Sequence, residues 1–441
     1  MPEDSSYSNR PRDRLARIQP FLEPTIAQAR GAWYTDGMGR RHLDMLSGCW
    51  CSVLGHNHPR FIRSLKGQVE HLIHLGTGYI SDEVIRGADA LLSTLDDAQG
   101  ATPTAGAGPG DYKVAFVNTG SEAVDLAVKF AKAATGRQGV VTSDRGYYGA
   151  SSSVYHYMGL PKKDFMGQAT GCHQVLAPDC PACPVGETYP SCAFACVDAS
   201  ERRLREAGAP DAGVAALLFE PILSAGGMVF PPPGYLERLQ TTARRLGALF
   251  ISNEVTTGAG RTGRWFAYQH SSVTPDAIAF GKGFGNGLPV AGVLVRADVE
   301  EAAYSAGLVH IQSHQSDPLS GFVVAEVIGL IRELGLVKRA EVMGDELKAK
   351  LERVSRETGG IGSVRGLGLM TGFTVRDDGP GLHADLSARG IVTCYRPAYD
   401  TIQLMPPYTI SRAELDHFIA GLVASLRTRQ EGSRVPREVS D

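Results

Sequence analysis

Ala279-Phe280-Gly281-Lys282-Gly283-Phe284-Gly285-Asn286-Gly287-Leu288-Pro289 decides how this chain is read. A single lysine stands among glycines, after an apolar run that ends at Phe280 and before another, Val290 to Val295. A surface lysine normally has polar neighbours. One held in a crowded, partly dry place has a lowered ammonium pKa and can act as a nucleophile. On these residues alone a solvated lysine in a glycine-rich turn is the simpler explanation, so the decision falls to the rest of the chain.

Working outward, Asp276 to Phe280 delivers the lysine as a strand, and Val290 to Val295 is expected to return as an antiparallel edge strand. Val214–Phe219 and Ala248–Ser252 are continuous apolar runs, the kind that parallel sheets bury on both faces. The first ends in Glu220-Pro221-Ile222 and the second in Asn253-Glu254-Val255-Thr256-Thr257-Gly258. Polar groups at the C-terminal ends of successive parallel strands are where α/β folds hold ligands. Tyr112–Val117, the turn Asn118-Thr119-Gly120-Ser121-Glu122 and a helix over Ala123–Ala134 make a βα unit. Backbone N–H groups at Gly120 and Ser121 would suit an anion there, although Ser121 also reads as a plain helix cap. Gly139–Thr142 is a further strand, and Tyr147-Tyr148 follow in a glycine-bounded loop. They suit stacking on a flat ring or simple loop packing equally.

Helical spacing marks Pro59–Leu75, Ser81–Leu95, Tyr235–Leu246, Phe322–Ser355 and Arg412–Arg427; strands are expected over Val364–Thr374 and Ile391–Thr393, and a hairpin around Asp36-Gly37. The fold class is α/β. Residues 1–17 read as a mobile arm, 71–325 as a large domain with a mixed, mostly parallel sheet, and 431–441 as a tail. Residues 18–70 and 326–430 read as a smaller α/β domain built from both ends of the chain.

The composition is that of a globular protein: 441 residues, 43% hydrophobic and 21% charged. A net charge of -3 gives no electrostatic case for nucleic acid or a membrane surface. No apolar run approaches the ~20 residues of a spanning helix, and Met1–Arg17 lacks the apolar core of a signal peptide. A cytoplasmic location is expected. Five of the eight cysteines fall between Cys172 and Cys196. The spacing Cys180-x2-Cys183-x8-Cys192-x3-Cys196 suits a structural zinc or free thiols alike, in a segment read as structural and not catalytic.

These motifs, in this order, resemble the class III aminotransferases, fold type I enzymes that use pyridoxal 5′-phosphate (PLP), and among them most closely the dialkylglycine decarboxylases. The resemblance runs from about Phe21 to Leu426 and rests on Glu220–Gly227, Gly258–Gly263, Lys282 with Gly287-Leu288-Pro289, and His314–Leu319. It implies that Lys282 holds PLP as an internal aldimine and then shuttles the Cα proton of the external aldimine. It places Gly120 and Ser121 on the phosphate, Tyr147 and Val255 on the two ring faces, and Glu220 in the cofactor-binding set. Ser313 would reach the phosphate of the neighbouring subunit, which implies a homodimer or larger assembly. An alkali metal ion would sit at Leu75, Thr77, Ser313, Gln315 and Asp317.

Four positions depart from that pattern. Asn253 stands where the family has an aspartate under the pyridine nitrogen. Gln403 replaces the arginine that grips a substrate carboxylate, and Arg396 is the candidate replacement. Cys49, beside Trp50, replaces a glutamine that assists decarboxylation, and Thr256 replaces a glutamine near the PLP phenolic oxygen. A neutral amide cannot keep the ring nitrogen protonated as a carboxylate does. The resemblance therefore implies PLP chemistry on a small amino substrate, but not dialkylglycine decarboxylation. Transamination is one reading. Reprogrammed chemistry in specialised biosynthesis is the other: β- or γ-elimination or replacement, carbon–carbon bond formation, or decarboxylation of another kind. Outside catalysis, the alternative is a silent PLP-fold binding subunit, against which the intact Lys282, phosphate site and Ser313 argue.

Overall fold

The computed structural model describes residues 15, 16, 18, 22, 24–96, 109–160 and 171–434, the last four without side chains. Most of the expected arm, most of the loop 96–110 and the final seven residues of the tail lie outside the described residues.

Seven strands form the central sheet, in the order Tyr112–Val117, Ala291–Arg296, Ala277–Phe280, Leu249–Asn253, Val214–Phe219, Gly139–Ser143, Cys172–Val175. The five from Ala277–Phe280 to Cys172–Val175 are mutually parallel. Every residue of Val214–Phe219, Gly139–Ser143 and Ala277–Phe280 is buried, which explains their unbroken apolar sequences. Helices Gly120–Thr135 and Tyr235–Arg245 cover the sheet through their apolar faces.

The strand after the lysine is antiparallel, as expected, but it is interior and not an edge. Ala291–Arg296 pairs with Tyr112–Val117 on one side and Ala277–Phe280 on the other. Its sequence carries the reason: Ala-Gly-Val-Leu-Val shows no polar alternation for a solvent-facing side. A Cβ at Gly292 would lie 2.3 Å from the Ala115 carbonyl oxygen and 2.5 Å from the Phe280 ring, so only glycine lets both neighbours close in.

The helix expected over Phe322–Ser355 is two helices, Pro318–Glu333 and Leu336–Thr358. Gly335, at φ +62°, breaks the path between them in the left-handed conformation that glycine adopts without steric cost.

Two four-stranded sheets flank the centre. In one, Ile391–Val392 pairs in parallel with Arg41–Asp44, beyond which lie Trp33–Asp36 and Ile26–Arg30. In the other the order is Ile361–Leu367, Met370–Val375, Thr401–Leu404, Cys394–Arg396. Among the described residues no helix is long and apolar enough to cross a membrane.

Candidate active site

The C-terminal ends of Val214–Phe219, Leu249–Asn253 and Ala277–Phe280 converge on Lys282. The lysine adopts φ +45°, a strained backbone for a side chain of its size. Its Nζ lies 5.0 Å from the centroid of the Trp50 ring. Burial pushes its ammonium below the ordinary lysine range, opposed by Cys51, Glu220 and Cys49 and assisted by Arg396. The side chain remains partly accessible, as a nucleophile must be.

Trp50 is held there by an uncommon element. Ser47, Gly48, Cys49 and Trp50 have φ of 46°, 59°, 59° and 74°, and the bonds Trp50 N–H to Leu46 O (2.7 Å) and Cys51 N–H to Ser47 O (3.0 Å) close a single left-handed helical turn. Such backbone costs about 1–2 kcal/mol per non-glycine residue. Asp44, fully buried, offsets it by accepting from Leu46 N–H at 2.8 Å and Gly48 N–H at 2.7 Å, with the His56 ring at 2.8 Å. Buried Arg261 adds a bond from its NH2 to Ser47 Oγ at 3.1 Å. Cys49 is exposed on this turn, and the half-buried Cys51 thiol is pushed up by burial.

Asn253 is buried, and two bonds fix its amide. Nδ2 donates to the Tyr147 carbonyl at 3.1 Å, and Oδ1 accepts from Val255 N–H at 3.3 Å. The reversed amide would set N–H against N–H and oxygen against oxygen, so one Nδ2 hydrogen remains for a ring nitrogen. Tyr147 also gives its N–H to Glu220 Oε1 at 2.6 Å. Tyr148 is loop packing, buried with its hydroxyl bonded to Ser143 N–H and Leu218 O. Tyr147 stays half-buried, and Arg396 and Glu220 both act electrostatically on its phenol.

Glu220 is buried, and that burial pushes its carboxyl up to about 8 against the counter-effects of the Tyr147 N–H, Lys282 and Ser224. Ser224 Oγ lies 3.3 Å from Thr256 Oγ1. The Ser224 carbonyl accepts from Gln403 Nε2, and Gln403 Oε1 accepts from Arg396 Nε at 3.1 Å. Gln403 is fully buried, with one bond at each amide atom, and through Oε1 it orients Arg396. The two terminal guanidinium nitrogens of Arg396 have no hydrogen-bond partner among the described residues.

Gly120 begins the helix Gly120–Thr135, and a Cβ there would lie 2.6 Å from Val255 Cγ1. Only glycine allows that cradle of backbone N–H groups to close on Val255. The helix cap is Thr119, in a capping box with Glu122, so Ser121 is not spent on capping. Its Oγ accepts from Ala150 N–H at 3.0 Å and retains its own hydrogen to donate. An anion cradle, a ring-nitrogen partner and an amine of lowered basicity on one face fit PLP.

The expected metal sites fare differently. Cys180, Cys183, Cys192 and Cys196 are free thiols lining one small cavity. No three of them lie within 4.8 Å of one another, whereas sulfurs on one tetrahedral zinc sit about 3.8 Å apart. As arranged, they are packed thiols. The alkali-ion residues Leu75, Thr77, Ser313, Gln315 and Asp317 lie half-buried to exposed, except Asp317, which is buried. Gln315 Oε1 accepts from Gln312 N–H at 3.1 Å, and both Asp317 oxygens bond to imidazoles.

Sequence reasoning missed Asp44, Ser224 and His74. Asp44 had a signal, an acid inside the apolar stretch Leu43-Asp44-Met45-Leu46, and Ser224 lies within the motif Glu220–Gly227.

Residues 16–426 match the family model for class III aminotransferases. The chain belongs to that family. It is 32% identical over 441 residues to the leucine/methionine racemase of Thermococcus litoralis, covering 95% of this chain and 96% of the relative. It is also 32% identical over 422 residues to the acetylornithine aminotransferase of Mycobacterium tuberculosis, with the same coverage. The taurine:2-oxoglutarate aminotransferase of Bifidobacterium kashiwanohense, solved with PLP and glutamate, has a TM-score of 0.82 at 26% identity, covering 95% of this chain and 96% of that one. An Arthrobacter phospholyase in complex with phosphoethanolamine gives 0.81 at 27%, covering 94% and 97%. This class III chain thus has the fold type I α/β architecture and belongs to a PLP-dependent enzyme family whose members include both aminotransferases and a racemase.

Proposed function

We propose that this protein is a PLP-dependent enzyme acting at the amine-bearing carbon of a carboxylate-containing amino compound. The observation that carries the reading is Arg396. Its Nε is pinned to Gln403, its terminal nitrogens have no hydrogen-bond acceptor among the described residues, and its charge is felt by both Lys282 and Tyr147. A planar guanidinium held at one nitrogen suits a bidentate carboxylate.

When bound, PLP supplies an electron-withdrawing ring that weakens bonds to the substrate carbon. Lys282 Nζ, kept short of full basicity by burial, takes a proton from that carbon and returns it. Gly120 and Ser121 would hold the phosphate, while Tyr147 and Val255 would confine the ring. Trp50 limits the space over Nζ. Ser313 is exposed, and Tyr79, Ile80, Val309 and Ile311, which are 73%, 76%, 72% and 74% exposed, offer apolar side chains through which two subunits would pair.

Asn253 favours a second reading. A neutral amide at Asn253 would leave the ring nitrogen of a bound cofactor uncharged and the ring less electron-withdrawing, which would favour return of the proton by Lys282 to the carbon it came from. That is the outcome of racemisation, the activity in the name of the Thermococcus relative.

The test is incubation of the PLP-loaded protein with single amino acids in deuterated water. Keto acid with pyridoxamine phosphate marks an aminotransferase. Deuterium at Cα with inverted configuration and no keto acid marks the second reading. Borohydride reduction that leaves the Lys282 peptide mass unchanged would sink both.

A further inference from the structure

A histidine–aspartate–histidine cluster stands apart from the chemistry described above. Asp317 precedes the helix Pro318–Glu333, and its side chain is only 9% exposed. Its Oδ1 lies 2.6 Å from His74 Nδ1, and its Oδ2 lies 2.7 Å from His314 Nδ1. The two imidazole centroids are 4.7 Å apart, and the side chains are 44% and 61% exposed. Among the described residues this is the one group of three such side chains whose ligand atoms all lie within 4.8 Å of one another.

An alkali ion is a hard cation that needs several oxygen donors, whereas two of the three side chains gathered here are imidazoles. Two imidazoles on one carboxylate are the donor set of a borderline divalent ion. We propose that His74, His314 and Asp317 bind a divalent transition-metal ion of the zinc, cobalt or nickel class at the place where the family resemblance implied an alkali ion.

The geometry is close to ready. Ligand bonds of about 2.0–2.2 Å set tetrahedral neighbours about 3.3 Å apart, so each Nδ1 must withdraw from its Asp317 oxygen by less than about 1 Å, and the two nitrogens, which lie within 4.8 Å of one another, must settle at that spacing. The rings are exposed enough to do so. Coordination through Nδ1 requires the tautomer whose ring proton sits on Nε2, which leaves the Nδ1 lone pair for the ion. The ion would tie the segment after Pro59–His71 to the loop that carries Ser313.

The experiment uses the full-length PLP-loaded protein, stripped with a chelator and titrated with cobalt(II) under d–d absorption. One equivalent per chain is expected, displaced by zinc and indifferent to potassium. His314→Gln and His74→Gln should each weaken it by roughly tenfold or more, and circular dichroism checks that both variants fold. Three results would overturn the proposal: no binding at millimolar cobalt, binding unchanged in His314→Gln, or displacement of cobalt by potassium.

Discussion

Asn253 Nδ2 donates to the Tyr147 carbonyl oxygen at 3.1 Å, so the residue under the expected ring position is locked as an amide by the loop above it. An aspartate there would set a carboxylate oxygen against that carbonyl. Asn253→Asp should therefore destabilise the cofactor-free protein by about 1–3 kcal/mol, read as a lower thermal midpoint. With PLP bound, a protonated ring nitrogen relieves the new charge. The cofactor should then raise the midpoint of Asn253→Asp more than that of the wild type. Equal increments in both proteins would remove this electrostatic account.

Arg396 and Gln403 separate charge from orientation. Arg396→Gln should raise KM for amino acids by about 10–100-fold, the worth of a charge-assisted hydrogen bond, and leave simple amines unaffected. Gln403→Met keeps the charge but releases Arg396 Nε and orphans the Ser224 carbonyl. A rise of about tenfold is expected, confined to carboxylate substrates. Steady-state kinetics on paired amines and amino acids checks both, and equal losses on the two substrate types would count against the clamp.

How much of this was legible in the sequence depends on the kind of contact. Strands such as Val214–Phe219 announced themselves because they are buried on both faces and so are apolar throughout. The lysine stretch announced itself by its company. The interior place of Ala291–Arg296 did not, because apolar content shows burial but not which neighbours provide it. The Gln403–Arg396 pairing depends on two strands meeting in antiparallel register, Cys394 opposite Gln403 and Arg396 opposite Thr401. That register is a tertiary fact. His74 meets Asp317 across 243 residues, and no local pattern encodes it. The cysteine spacing suggested a metal, but spacing does not report how far apart the sulfurs finally lie.

Glu220 should make stability fall with rising pH. Its carboxyl titrates near 8 in the fold because it is buried, against an ordinary value of 4.5. Between these values the unfolded chain has lost this proton and the folded chain still holds it, so raising the pH favours unfolding. Below about 4.5 and above about 8 the residue adds no slope. Each unit of separation is worth about 1.4 kcal/mol at most. Glu220→Gln keeps an oxygen for the Tyr147 N–H and removes the titration. Its thermal midpoint should gain on the wild type from pH 5 to pH 8, and parallel curves would contradict the assignment.

The left-handed turn under Trp50 gives the last prediction. Asp44 Oδ2 accepts both the Gly48 N–H and the His56 ring. Asp44→Asn places an NH2 group there, and while His56 can change tautomer to accept from it, the Gly48 N–H cannot. The orphaned donor costs about 1–3 kcal/mol, and the strained turn loses what holds it. Gly48→Ala acts on the same element from within: it puts a side chain at φ +59°, with its Cβ 3.1 Å from His56 Cε1, at a cost of about 1–2 kcal/mol for the backbone alone. Both variants should expose the half-buried Cys51 thiol and release Trp50 from Lys282. The check is the rate of Cys51 modification by a thiol reagent, followed by peptide mass beside the thermal midpoint. Faster modification is expected in both. A lower midpoint with an unchanged Cys51 rate would mean that Asp44 supports the fold without setting the turn that holds Trp50 over Lys282.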